Sequence, residues 1–116
     1  MSTPQAAVVD QVVEAYNAGD INRFLACFTE GVRVVRDRDT TVAVGRAAMR
    51  ALYQPQFDAG SRTELAGRVA VGRHVADQAR VTAPGEGPAD YLIIYTVEGD
   101  LVARVDFLGA EAQAAS

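Results

Sequence analysis

The stretch ADYLIIYTVEGDLVARVDFL, residues 89–108, decides the fold of this chain. Two runs within it, Tyr91–Val97 and Leu101–Leu108, flank a turn at Glu98-Gly99-Asp100. Tyr, Ile, Val and Phe favour a pleated backbone, and Gly99 supplies the positive φ that a short hairpin turn needs. The second run alternates. Leu101, Ala103, Val105 and Phe107 fall on one face, and Val102, Arg104, Asp106 and Leu108 on the other. A charge pair inside an otherwise apolar strand has two readings: that face meets water, or it lines a cavity where the charges act.

Upstream, the pattern alternates between helix and strand periods. Pro4 suits a first helical residue, with Ser2 or Thr3 as its cap. Val8, Val9, Val12, Val13 and Tyr16 follow at helical spacing, and Gly19 is the expected stop. Asp20 caps a second expected helix whose face is Ile21, Phe24, Leu25 and Phe28, ending at Gly31. A strand is predicted at Val32–Arg36, a loop at 37–41 and a short strand at Thr41–Val44. A third helix starts after Gly45 with Met49, Leu52 and Tyr53 on its face, and Pro55 is expected to break it. Strands at Arg62–Val71 and His74–Ala83 join at Gly72-Arg73, and the Pro84–Pro88 punctuation precedes the closing hairpin. Helices first and strands afterwards predict an α+β domain: three N-terminal helices packed on one curved, mostly antiparallel sheet.

The chain is short enough for one domain over 1–116, with an Ala-rich tail at 110–116 expected to fray. No apolar run approaches the ~20 residues that span a membrane, and the N-terminus lacks a signal-peptide pattern, so a cytoplasmic location is expected. The net charge is −4 and the arginines are scattered, which argues against nucleic acid and anionic lipid as partners. One cysteine, Cys27, excludes an internal disulfide framework, and with the single histidine, His74, argues against a transition-metal site. No organic cofactor is expected either, since no phosphate-cradling glycine loop is present.

The segment VVEAYNAGDINRFLACFTEGVRVV resembles the opening of the nuclear transport factor 2-like superfamily, VGRAAMRALY its third helix, and GDLVARVDFL its closing strand. Within it, the run Val71-Gly72-Arg73-His74-Val75-Ala76-Asp77-Gln78-Ala79-Arg80-Val81-Thr82 is similar to a pattern of small SnoaL-like proteins, VG-x-x-V-x-D-H-E-x-V-T, with Gln78 and Ala79 in place of its His-Glu. The resemblance implies a cone of sheet around an apolar pocket, often with a dimer through the sheet's outer face. It implies a cofactor-independent isomerase, polyketide cyclase or epoxide hydrolase, or a non-catalytic binding domain, because one fold carries many functions.

Matched against ketosteroid isomerases, Tyr53 falls on a tyrosine of the third helix. Arg36, one residue short of Asp37, falls on the catalytic base, Tyr91 near the protonated aspartate, and Phe28 and Gln11 on or near tyrosines. That isomerase is a standard example of a carboxylic acid kept unionised beside a tyrosine. With so few of those groups retained, steroid isomerisation is not expected. Asp106 resembles an aspartate of limonene epoxide hydrolases, with Arg36, Arg80 or Arg104 as its positioning arginine. The candidate catalytic residues are thus Asp106, Arg36 and Asp37, and the candidate substrate contacts are Tyr53, Gln78, Arg80, Tyr91 and Arg104.

Two classes stand at this point. One is an enzyme that uses carboxylate acid–base chemistry on a small, largely apolar molecule in an enclosed pocket. The other is a ligand-binding or dimerisation module. A pocket of ~300 Å³ or more with Asp106 inside marks the first; a collapsed core with Arg104 and Asp106 in solvent marks the second. If the even positions of the closing strand face the cavity, Leu101, Ala103, Val105 and Phe107 form an outward apolar face, and a homodimer through it is expected.

Overall fold

The computed structural model describes residues 3–109; the expected cap at Ser2 and the tail at 110–116 lie outside them. Helix α1 is Pro4–Ala18, capped by Thr3, whose hydroxyl accepts from the Ala6 N–H at 3.2 Å, and closed by Gly19 at φ 73°. Helix α2 is Ile21–Leu25, capped by Asp20. It is shorter than its apolar spacing implies. Phe28 already belongs to strand β1, Phe28–Arg36, yet its ring meets Phe24 at 5.0 Å. Burial at Phe28 is satisfied from a strand as well as from a helix, so the i+7 position misleads.

Strand β2, Thr40–Val44, leads into helix α3, Arg46–Ala59. Pro55 does not break α3, which runs on to Gly60. Beyond the proline, Phe57 packs edge-on against Tyr16 and Phe24 at 5.3 and 5.1 Å. Aromatic burial there outweighs one missing hydrogen bond. Strands β3, Arg62–Val71, and β4, His74–Thr82, form the expected hairpin, and β5, Ala89–Glu98, and β6, Leu101–Leu108, the closing one.

The six strands form one curved, unclosed sheet in the order β2-β1-β6-β5-β4-β3. Only the β1–β6 pair is parallel. The sheet turns one face to the helices, and Val9, Phe28, Val32, Val34, Met49, Val75, Val102 and Val105 are fully buried in the core. The pairing of β5 with β6 slips between Thr96, opposite Arg104, and Val97, opposite Val102. Ala103 is the extra residue of this bulge, and it moves the inward positions of β6 from even to odd. Val102 and Val105 are therefore both buried.

This corrects the facing expected for the closing strand. Val105 and Phe107 look toward the helices, while Arg104 and Asp106 lie on the outer face beside Thr96 and Ile94. The reason is burial: an apolar set is drawn to the core side, and the charged pair takes the outer face, where Arg104 stays partly exposed and satisfies Asp106. The same parity holds in β4, where Ala79 and Val81 face inward and Gln78 and Arg80 outward.

Candidate binding pocket

Helices α1, α2 and α3 leave an apolar space above the sheet, divided into two neighbouring cavities. The first holds about 50 Å³ and is walled by Val12, Tyr16, Phe24, Thr63, Ile93 and Val105 among others. The second holds about 90 Å³ and is walled by Val34, Arg36, Val42, Leu52 and Tyr91. Tyr53, Gln56, Val81 and Phe107 line both. Each is well short of the ~300 Å³ typical of an enzyme pocket.

The polar groups on these walls have a common character. The Tyr16 hydroxyl donates to Gln56 Oε1 at 2.8 Å. Burial pushes the Tyr53 hydroxyl well above its usual 10, reinforced by Tyr95, Tyr16 and Tyr91, against a smaller opposing pull from Arg36. Burial also raises Tyr95, with a further push from Asp77, and raises Tyr16, partly offset by a hydrogen bond with Ser61. These three phenols stay protonated at neutral pH, and each keeps an O–H to donate, which Tyr16 gives to Gln56. Arg36 adds positive charge at the exposed rim, and among the described residues no carboxylate lines either cavity.

The predicted site residues divide between the two faces of the sheet. Arg36, Tyr53 and Tyr91 meet at the second cavity. Gln78, Arg80, Arg104 and Asp106 lie on the opposite face. There Arg104 holds both oxygens of Asp106, at 2.9 and 3.0 Å, and the Asp106 side chain is 15% exposed. Arg80 holds Asp90 in the same way at 2.8 and 3.2 Å. Asp37 stands at the turn after β1 with φ 55°, its N–H donating to the Phe107 carbonyl at 3.2 Å. It does not line either cavity.

An Asp–Arg–Asp array exists, but elsewhere. Arg68 on β3 grips Asp77 through Nε and Nη2 at 2.6 and 3.0 Å and also bonds Asp10 of α1. Asp77 is completely buried, outside both cavities, so the array ties α1 to the sheet. Its members were legible only as isolated charges, because they come from three separate elements. The polar pocket residues missed by sequence reasoning are Tyr16, Gln56, Thr63 and Tyr95. Gln56 follows an expected helix breaker, and Thr63 is a common strand residue.

The fold and its pocket define a nuclear transport factor 2-like cone. The chain belongs to the SnoaL-like domain family, whose model matches residues 9–105. A protein assigned as a ketosteroid isomerase from Kribbella flavida superposes with a TM-score of 0.79 at 20% identity, covering 90% of this chain and 76% of that one. An NTF2-like protein of unknown function from Cytophaga hutchinsonii gives 0.79 at 9% identity, covering 100% and 98%. A protein assigned as a polyketide cyclase from Sinorhizobium meliloti gives 0.76 at 18% identity, covering 88% and 94%. At these identities the likeness establishes the fold. Among curated proteins, none matches by sequence. Among the described residues no helix is long and apolar enough to cross a membrane.

Proposed function

We propose that this protein binds a small, largely apolar molecule that carries one carboxylate or carbonyl oxygen, and that the oxygen sits against Arg36, Tyr53 and Tyr91. The observation that carries this reading is the wall chemistry: Arg36, Tyr53 and Tyr91 line an apolar space together, with Tyr16, Gln56 and Thr63 on its other walls. An anion beside an arginine at a partly exposed rim gains about 1–4 kcal/mol, and the apolar walls reward the rest of the ligand by burial.

An acid–base enzyme needs a group within hydrogen-bond reach of the proton it moves. Asp106 is across the sheet and engaged by Arg104, so the binding reading is favoured over the isomerase, cyclase or hydrolase reading. One observation keeps catalysis as a second reading. Protonated Tyr53 beside Arg36 is a donor pair of the kind that stabilises a developing oxyanion. In that case Asp37, next to Arg36 in the chain but outside both cavities, serves as the base only through an inward movement of the turn after β1.

The test is titration with straight-chain alkanoates followed by ligand-detected NMR. Arg36→Gln is expected to weaken binding about tenfold, which corresponds to ~1.4 kcal/mol. Saturable binding that is indifferent to both Arg36→Gln and Tyr53→Phe overturns the reading. For the second reading, Asp37→Asn should abolish turnover of any enolisable ketone that the protein converts.

We also propose a homodimer through the outer sheet face. That face carries Val69, Val71 and Leu92, 63%, 68% and 42% exposed, together with the Arg104–Asp106 pair. A single chain gains by covering such a surface.

A further inference from the structure

Among the described residues, one buried side-chain polar atom has no hydrogen-bond partner: the hydroxyl oxygen of Thr63. It belongs to a residue on the wall of the first cavity, which Gln56 also lines. Gln56 spends its Oε1 on the Tyr16 hydroxyl, which leaves its NH₂ as the group it can offer. A buried hydroxyl without a partner is costly and rare, so its partner is most economically a group that arrives with the ligand.

Cavity size leads to the same place. A space of about 150 Å³ is what a benzene-sized guest occupies. Neither the 50 Å³ nor the 90 Å³ cavity reaches that alone, but they share Tyr53, Gln56, Val81 and Phe107 as walls. A ligand too large for one cavity would extend toward the other along the walls they share. Arg36 stands on the second cavity and Thr63 on the first, and the wall between them is formed by Val81, Phe107, the Tyr53 ring and the Gln56 side chain.

We infer that Thr63, with Gln56, forms a second polar subsite, and that the ligand is a two-ended molecule. One end is the carboxylate or carbonyl at Arg36. The other is a hydroxyl or carbonyl at Thr63, and an apolar spacer crosses the shared wall. The inference rests on the binding reading above and narrows its ligand class. A hydroxyl end is both donor and acceptor, so it pairs with the Thr63 hydroxyl in either sense and accepts from the Gln56 NH₂.

The experiment compares ω-hydroxyalkanoates of increasing chain length with the plain alkanoate of the same length, by the same NMR titration. Where the length fits the span, the hydroxy acid should bind about tenfold tighter. Thr63→Val keeps the shape and removes the hydroxyl. It should erase that preference, so that the hydroxy acid and the plain alkanoate of equal length bind the variant alike. A hydroxy acid that binds no tighter than its parent at every length overturns the inference alone, and means that water satisfies Thr63. A preference that survives Thr63→Val overturns it too. Failure of both ligand series to bind overturns the binding reading as well, so the two failures are distinguishable.

Discussion

The carboxamide of Asn17 exchanges two hydrogen bonds with the backbone of Thr63: Nδ2 donates to the carbonyl at 3.0 Å, and Oδ1 accepts from the N–H at 2.8 Å. Thr63 lies on β3, an edge strand. A side chain from the end of α1 therefore imitates the missing neighbour strand. At the other end of β3, Gln5 of the same helix donates to the Gly72 carbonyl. An edge that is paired or covered does not template other chains. Helix α1 serves this purpose as well as walling the pocket. Asn17→Ala leaves two part-buried backbone groups unpaired, and should cost about 1–3 kcal/mol in urea unfolding. It should also raise the tendency to aggregate. A midpoint equal to wild type would contradict this role.

The Arg68–Asp77 pair sets a second expectation. Removing one partner of a buried ion pair strands the other charge, at about 3–5 kcal/mol. Arg68→Leu should therefore destabilise strongly, since Asp77 is buried and keeps no second cation among its hydrogen-bond partners. The double change Arg68→Leu with Asp77→Leu should recover much of the loss, leaving Asp10 to the solvent. Chemical unfolding of both variants checks the sign. Equal destabilisation in the two would mean that packing, and not charge, governs this corner.

The tyrosines predict an alkaline limit. Tyr53 and Tyr95 are raised above 10 in the folded chain, chiefly by burial. Below the unfolded value of ~10 both states hold the proton, and the stabilisation is fully present. As pH rises past it, the unfolded chain releases protons that the folded chain keeps. Stability then falls until the folded groups ionise. Unfolding followed by circular dichroism should coincide with the late phenolate absorbance. Tyr53→Phe should flatten the dependence. Complete phenolate formation near pH 10 with the fold intact would refute the assignment.

The outer sheet face gives the test of assembly. Light scattering at micromolar concentration should report a dimer, whose interface would need about 1,200 Å² or more. Leu92→Asp should yield monomers that still bind alkanoates, because Leu92 is on the outer face of the sheet and lines neither cavity. Asp106→Asn should likewise leave ligand affinity unchanged. A monomeric wild-type chain would remove the proposal, and a loss of affinity in Asp106→Asn would bring that residue back to the site.

Much of this architecture was legible in the chain itself. The period of Val8, Val9, Val12 and Tyr16, bracketed by Pro4 and Gly19, specifies α1, because a helix records its face and its caps locally. Gly72 and Gly99 mark the two hairpins for the same reason, since their turns require positive φ. Arg36, Tyr53 and Tyr91 were singled out through resemblance, and all three line one cavity.

What only the tertiary structure decided was which way the strands face and which polar groups meet. Alternation divides a strand into two sets but carries no sign. The sign at β6 depends on the bulge at Ala103 and on what the helices cover. Position matching put Asp106 inward there, and burial of Val105 and Phe107 against the helices turns it outward. Pro55 and Phe28 were misread because local rules ignore aromatic burial supplied by other elements. The contacts that most define this protein, Asn17 with Thr63 and Arg68 with Asp10 and Asp77, join residues far apart in the chain, and only the packing of α1 on β3 and β4 brings them within hydrogen-bond distance.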